Sequence, residues 1–359
     1  MVRQLDSLRS KNQIVIKFGN ACNGECLYCS QGNLHYYDKQ SPFVSIDLID
    51  WLVFWSKLFP SNGTKENAGE IIFYGGEPLI YFDAIRHCVS LLIDRGINPV
   101  TNFWISTNGL LLDEDKVDFI NYYDIEVGLS YDGRNTLKTR RKVITDSQEK
   151  LFLKVKRRNI LSVVNAYDYD FLDNKLFLEK KFPDTPVLAN LITANNDMPK
   201  ELYDFNWARL EHSICKLISY YHYHPVDWSF NHLIWLYIKP RPDIDDFWKS
   251  GYSGCSSGAT KLSVDPAGNF LFCNNSNIKL CSIYDNEDMI ISSYKDAIAS
   301  RLEVCRKCNY SSYCRCHCPL SDRVGDNYIF CDYFKKYIDL LLKYKSEFQE
   351  IVDKWCLYG

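Results

Sequence analysis

The sequence has almost no net charge. Its 42 Lys and Arg stand against 45 Asp and Glu, a formal charge of −3. The basic excess with which nucleic-acid binders neutralise phosphate is missing, so no nucleic-acid partner is expected. No uninterrupted apolar run approaches the ~20 residues that span a bilayer, so no membrane partner is expected either. Residues 1–11 are polar and lack the apolar stretch of a signal peptide, and the expected location is cytoplasmic. With 17 glycines and 12 prolines in 359 residues, the chain is neither collagen-like nor disordered. The seven histidines are scattered, none beside a nucleophile or at a metal spacing, and read as structural or surface residues. There is no internal repeat and no low-complexity tract.

What is there begins with a core. Apolar residues make up 46% of the chain and aromatics 15%, and the length suggests two or three domains at ~150 residues each. Short β-type runs at 14–18, 70–74, 102–106, 125–130, 161–165 and 187–192 alternate with helical patterns at 46–59, 82–95, 114–122, 171–182 and 201–221. This alternation predicts an α/β fold with a parallel sheet or barrel. Chemistry-bearing residues should then sit in loops at the carboxyl ends of the strands. The pattern breaks where Pro225, Pro240, Pro242, Gly251 and Gly254 cluster. A first domain is expected over 1–230, a linker over 231–254, and a short, cysteine-rich unit over 255–359 closing with an amphipathic helix at 334–357. The run 134–158 holds ten basic and two acidic residues. It reads as a solvated helix face with one functional arginine, or as a patch that attracts an acidic peptide.

The chain is rich in cysteine, with 15. An odd number without an export signal points to metal binding rather than to a disulfide framework. Cys22, Cys26 and Cys29 follow the first expected strand at C-x₃-C-x₂-C spacing. Three thiolates on one short loop can hold a 4Fe–4S cluster and leave one iron open to a small chelating ligand. A zinc site would want four protein ligands, or three and a water, and a disulfide would leave one thiol over. Gly75, Gly76, Glu77 and Pro78 follow the second expected strand. Glycines let the backbone approach a ligand closely, and Glu77 can accept a hydrogen bond from a cationic amino group. Ser106, Asn108, Ser130, Asp132 and Asn165 stand at further strand ends, where such residues also serve turns and caps.

The cysteine triplet, with Tyr28 at its aromatic position, and the Gly-Gly-Glu-Pro run at 75–78 together resemble the radical S-adenosylmethionine (SAM) superfamily. The resemblance implies a partial, six-stranded (β/α) barrel. It also implies a 4Fe–4S cluster on Cys22, Cys26 and Cys29, and SAM chelated to the open iron through its amino and carboxylate groups. Tyr28, Gly75, Gly76, Glu77 and Pro78 would surround SAM, with Gly76 and Glu77 receiving the methionyl amino group. Ser106 and Asn108 match positions near the ribose and carboxylate; Ser130, Asp132 and Asn165 match further strand-end contacts. Where the family carries His-Asp-x-x-Arg, residues 137–141 read Leu-Lys-Thr-Arg-Arg. Arg140 or Arg141, the latter by preference, would meet the SAM carboxylate. The implied chemistry is reductive cleavage of SAM to methionine and a 5′-deoxyadenosyl radical that abstracts a hydrogen from an unactivated carbon. An electron-transfer or scaffold role without SAM is disfavoured by the intact Cys22, Cys26, Cys29 and Glu77.

Further cysteines run Cys255-x₁₂-Gly268-x₄-Cys273, then Cys305-x₂-Cys308-x₅-Cys314-x₃-Cys318, then Cys331. Seven ligands do not divide into tetrahedral zinc sites, and the order resembles the SPASM domain. That resemblance implies two auxiliary Fe–S clusters of the 4Fe–4S kind. Cys305, Cys308, Cys314 and Cys331 would hold the second; Cys255, Cys273 and Cys318 would hold the first. A further cysteine common in the family falls here on Lys261, so the first is open or is completed by Cys281 or Cys316. Cys88 and Cys215 read as core thiols. SPASM enzymes modify peptides or proteins, which implies a ribosomal precursor peptide as substrate and a reductant such as flavodoxin or ferredoxin. A side-chain cross-link, carbon–carbon or thioether, is the first expectation and a formylglycine-forming oxidation of the sulfatase-maturation type the second. Those oxidases typically place an Asp after the cysteine matching Cys273, where this chain has Asn274 and Asn275. A winged-helix leader-binding domain of ~80 residues does not fit before the first strand. Leader binding is expected from a separate protein, the 134–158 patch or the C-terminal helix.

Overall fold

The computed structural model describes residues 7–31, 42–60, 68–193, 198–239, 256–299, 305, 307–314 and 329–356. The β-branched run Gln-Ile-Val-Ile-Lys forms strand β1 (Gln13–Lys17), buried at four of its five positions. Such continuous burial marks a strand covered on both faces. It is followed in turn by α1 (Ile46–Ser56), β2 (Glu70–Tyr74), α2 (Phe82–Asp94), β3 (Asn102–Thr107), α3 (Glu114–Tyr122) and β4 (Glu126–Ser130). Two short helices, α4 (Thr136–Arg140) and α5 (Asp146–Leu153), lead into β5 (Arg158–Val164), α6 (Phe171–Lys181), β6 (Val187–Leu191) and α7 (Trp207–Tyr221). Short polar caps start several helices: Asp113 accepts from the Lys116 amide before α3, Asp170 from Asp173 before α6 and Asn206 from Arg209 before α7. The Asn206 cap is why α7 begins at Trp207 rather than at 201.

The strands form one open sheet in the order β6-β5-β4-β3-β2-β1-β7-β8-β9, where β7 is Lys261–Val264, β8 Asn269–Leu271 and β9 Lys279–Ser282. Strands β1 to β7 pair in parallel, and β8 and β9 are antiparallel additions. The expected α/β architecture with six parallel strands is present, but the sheet does not stop at β1. Across the expected linker, β7 pairs with β1 in the register Gln13↔Lys261. One core packs the sheet against its helices and includes Leu262, Val264, Phe270 and Tyr294 from the later segment. A second core sits beyond β6. There α7 and the helical stretch around 228–238 meet two C-terminal helices, Ile329–Lys343 and Lys345–Cys356. Tyr333 donates to the Ile192 carbonyl, and Tyr337 to that of Leu233 at 2.6 Å. The single closing helix expected at 334–357 is therefore two helices broken at Tyr344, whose hydroxyl reaches Glu211 at 2.7 Å.

The basic run divides into α4, α5 and the start of β5. Thr145 and Gln148 cap α5 reciprocally. Arg157 reaches the Asp124 carbonyl, Asn102 and Glu126, and Arg158 reaches Thr185 and the Val155 carbonyl. Both arginines thus make structural contacts at this end of the sheet while staying partly exposed. Among the described residues, no helix is long and apolar enough to cross a membrane.

Candidate active site

The carboxyl ends of the strands open on a cavity of about 540 Å³, within the ~300–1,000 Å³ of small-molecule sites. The loop after β1 forms its first wall and is pinned backbone to backbone. Gly76 N–H donates to the Gly19 carbonyl at 3.0 Å, Glu77 N–H to that of Ala21 at 2.8 Å, and Leu27 N–H to that of Thr139 at 2.8 Å. A Cβ at position 76 would lie 2.4 Å from the carbonyl oxygens of both Asn20 and Ala21. The approach of two loops thus demands glycine there.

Cys22, Cys26 and Cys29 all border the cavity and are partly buried. Gly24 N–H donates to Cys22 Sγ at 3.2 Å, and Arg140 Nη1 lies 3.7 Å from Cys26 Sγ. Burial pushes all three thiols up, Cys22 to about 11, opposed at Cys26 and Cys29 by the Arg140 guanidinium, so the thiolate forms need further positive charge. Cluster iron supplies that charge and binds thiolates, and N–H donors to sulfur tune the bound form. Three thiols from one loop on one cavity, each with an N–H donor (the third is the Gln31 backbone amide at Cys29), fit an iron–sulfur cluster with three protein ligands. Among the described residues, no three His, Cys, Asp or Glu side chains converge on a site for a single metal ion, as the zinc alternative would need.

Tyr28, Gly75, Gly76, Glu77, Ser106, Asn108 and Ser130 border the same cavity. Glu77 is buried and accepts from Thr107 Oγ1 at 2.6 Å, Asn108 N–H at 2.8 Å and Leu79 N–H at 3.0 Å. Its carboxylate therefore joins the β2 and β3 ends as well as facing the cavity. Burial raises its pKa, against the three hydrogen bonds. Pro78 opens the short 3-10 turn behind it. The arginine at the cavity is Arg140; Arg141 is exposed. Arg140 Nε meets Asp132 Oδ1 at 3.1 Å, so the last turn of α4 aims this side chain inward and sends the next one out. Asp132 is fully buried behind the wall, where it also accepts from Tyr28 Oη at 2.7 Å and Thr139 Oγ1 at 2.6 Å. It positions Arg140 and Tyr28. Asn165 is likewise buried outside the cavity lining and closes a turn, donating to the Val163 carbonyl and accepting from Tyr167 N–H.

Of the second cysteine set, Cys255 and Cys318, with Cys316, lie outside the described residues. Cys273 is buried on the turn after β8. Cys305 and Cys308 stand close enough to Cys331 to help burial push its thiol up to about 11. Cys314 borders the cavity. Cys281 is partly buried on β9, its thiol raised to about 11 by burial.

Gln31, Tyr74, Asn190, Tyr237 and Phe334 also line the cavity and escaped the sequence reading; Asn275, noted there only as standing in place of an Asp, lines it too. Tyr74 directly precedes Gly75 and was legible only as a strand residue. Tyr237 and Phe334 pack edge to face at 5.0 Å; two aromatics almost a hundred residues apart carry no local signal.

Residues 16–167 match the model described as the radical SAM superfamily. The chain carries a radical SAM domain. That domain makes it an enzyme of a family that uses SAM and iron–sulfur chemistry. An uncharacterised protein of Methanocaldococcus jannaschii is 32% identical over 120 residues, 33% of this chain; the chain spans only 38% of that relative's length. The radical SAM cyclopropyl synthase TigE of Paramaledivibacter caminithermalis is 21% identical over 98% of this chain and 79% of its own. A cysteine-type anaerobic sulfatase-maturating enzyme of Clostridium novyi is 22% identical over 92% of this chain and 95% of its own. Among solved structures, native anSMEcpe with bound AdoMet shares the fold at a TM-score of 0.62 and 17% identity, over 97% of this chain and 99% of that one. SuiB of Streptococcus suis bound to precursor peptide SuiA does so at 0.56 and 17%, over 88% and 74%.

Proposed function

We propose that this radical SAM enzyme is a peptide maturase that cross-links side chains of a ribosomal precursor peptide. The observation that carries the reading is a single cavity bordered by Cys22, Cys26 and Cys29 on one side and by Cys314 of the second cysteine set on another. The names of TigE and SuiB support it. Cys22, Cys26 and Cys29 hold the cluster, while Gly76, Glu77, Ser106, Asn108, Ser130 and Arg140 receive SAM. Cys305, Cys308, Cys314 and Cys331 hold one auxiliary cluster; Cys273 contributes to another with Cys255 and Cys318. When bound, cluster and SAM supply a carbon-centred radical able to take a hydrogen from an unactivated carbon. The chain's own part is positional. Arg140 places positive charge beside Cys26, the Asp132 carboxylate fixes Arg140 and Tyr28, and Tyr237 and Phe334 give the cavity an apolar side that excludes water. A flavodoxin or ferredoxin delivers electrons, and a separate protein or the C-terminal helices hold the leader.

Anaerobic co-expression with each short peptide encoded beside the gene, followed by tandem mass spectrometry, tests this. A loss of two hydrogens with fragmentation blocked between two residues is the expected result. The same mass loss with ordinary fragmentation signals single-residue oxidation of the sulfatase-maturation type and overturns the cross-link. Absence of any change in every such peptide overturns the precursor reading.

A further inference from the structure

Cys29 and Cys273 stand on different loops, one after β1 and one after β8, yet a chain of hydrogen bonds runs between them. At one end the Gln31 backbone N–H donates to Cys29 Sγ. At the other the Asn275 N–H donates to Cys273 Sγ at 3.3 Å. The side chains of the same two residues, 244 positions apart in sequence, join the ends: Gln31 Nε2 donates to Asn275 Oδ1 at 3.2 Å. The middle link is thus a side-chain pair that a single substitution removes.

Both partners in that link are braced. Gln31 Nε2 also donates to the Gly75 carbonyl at 3.2 Å, a group that can only accept, so the Gln31 amide presents nitrogen and Asn275 presents oxygen. Asn275 Oδ1 further accepts from Tyr74 Oη at 3.0 Å and from Asn274 Nδ2 at 3.3 Å. The buried Lys17 amine holds the same turn, donating to the Ser276 carbonyl at 3.2 Å and to Asn277 Oδ1 at 2.8 Å. Gln31 is 4% exposed, and hydrogen bonds in such surroundings are electrostatically stronger than in water. Cys22 receives a donor of the same local kind, Gly24 N–H at 3.2 Å, but glycine has no side chain by which another loop can hold it. At Cys29 the donor belongs to a residue that the β8–β9 turn grips.

Resting on the assignment of an iron–sulfur cluster to Cys22, Cys26 and Cys29, we infer that Gln31 and Asn275 are positioning residues through which the β8–β9 turn sets the reduction potential of that cluster. Reduction adds one negative charge to a cluster, and an N–H aimed at a ligand sulfur favours the reduced form. Asn275 acts through Gln31: by fixing the side chain it holds the backbone N–H on Cys29. The donor on Cys273 and the donor on Cys29 thereby belong to one network.

The test uses anaerobically reconstituted holoenzyme and potentiometry followed by electron paramagnetic resonance. The signal of the triplet cluster is the one that changes when SAM is added; iron per chain and SAM affinity report integrity. Asn275→Ala removes the acceptor from the far loop, and Gln31→Met removes the amide while keeping the length of the side chain. Each is expected to lower the equilibrium constant for one-electron reduction of the triplet cluster about threefold to tenfold, the upper end being about 59 mV. The double variant should shift no further than either single one, because both act on one link. Asn190→Ala, which changes the same cavity without touching the chain, should leave the potential at its wild-type value. Where Gln31→Met loads less iron, Asn275→Ala, outside the cysteine loop, still gives the answer. A wild-type potential in iron-loaded Asn275→Ala overturns the inference, as does an additive shift in the double variant or an equal shift in Asn190→Ala. A packing role alone would show as lost iron or stability with the potential unmoved, and overturns it too. A wild type with no SAM-responsive signal overturns the cluster assignment, and the inference with it.

Discussion

Gly76→Ala is the sharpest test of how the cysteine loop is held. The added Cβ would lie 2.4 Å from two backbone oxygens, those of Asn20 and Ala21, and neither is the end of a flexible side chain. To restore ordinary contact the two loops must part by about 1 Å. That movement lengthens Gly76 N–H to Gly19 from 3.0 Å and Glu77 N–H to Ala21 from 2.8 Å, beyond useful hydrogen-bond range. Two lost bonds cost about 1–3 kcal/mol and the overpacking about 1–3 kcal/mol more, so a loss of roughly 2–6 kcal/mol is expected. Urea unfolding of the iron-free protein measures it, and iron per chain after reconstitution measures the functional consequence, which should drop well below wild type. Gly96→Ala is the control. Its φ is +74°, but nothing lies within 4 Å of a Cβ there, so only the backbone cost of about 1 kcal/mol applies and iron loading should be unchanged. A Gly76→Ala protein within about 0.5 kcal/mol of wild type and fully loaded with iron refutes the argument.

Three further outcomes follow from the same geometry. Arg140→Ala strands the fully buried Asp132 carboxylate and should cost about 3–5 kcal/mol in urea unfolding together with SAM affinity, whereas exposed Arg141→Ala should stay within about 0.5 kcal/mol; the reverse ranking would return the site to Arg141. Cys22→Ala, Cys26→Ala and Cys29→Ala should each abolish SAM cleavage while circular dichroism stays native, because the sheet core does not use these thiols; 5′-deoxyadenosine formed at the wild-type rate would exclude the triplet. The buried Lys17 amine titrates near 8 instead of 10.5, so between those pH values the unfolded chain binds the extra proton and this group makes stability rise with pH, its cost being constant below 8. The wild-type urea midpoint should therefore climb relative to Lys17→Met as pH goes from 8 to 10, and a constant difference would show that the amine is not held in a costly site.

The strands and the first cysteine loop were legible because their signals are local. Continuous apolar runs such as 14–18 and 70–74 mark parallel strands by burial alone, and C-x₃-C-x₂-C is a property of eight residues. The polar strand-end residues were legible as a group but not by role. Asp132 and Asn165 carry the expected residue types, yet their side chains are spent on neighbours within the wall. The choice between Arg140 and Arg141 depends on which side of a five-residue helix faces Asp132, a rotation of about 100° per residue that no spacing in this sequence records. Gln31, Asn190, Tyr237 and Phe334 became visible only when the sheet brought them to one cavity.

The pairing of β7 with β1 is what joins the two halves of the cavity. β1 ends in Lys17 and feeds the cysteine loop and Gln31; β7 feeds β8 and the turn that carries Cys273 and Asn275. The register Gln13↔Lys261 to Ile16↔Val264 therefore sets the distance between groups more than two hundred residues apart in sequence. A slip of one residue would exchange the two faces of the strand, moving buried Leu262 and Val264 out of the core and Asn275 away from Gln31. The register is over-determined. Ile14, Ile16, Leu262 and Val264 are each fully buried, and Lys17 reaches across to the Ser276 carbonyl. An α/β sheet that ended at β1 would leave the cluster loop facing solvent on that side. By adding strands there, the chain converts an exposed sheet edge into a cavity wall that carries Asn275.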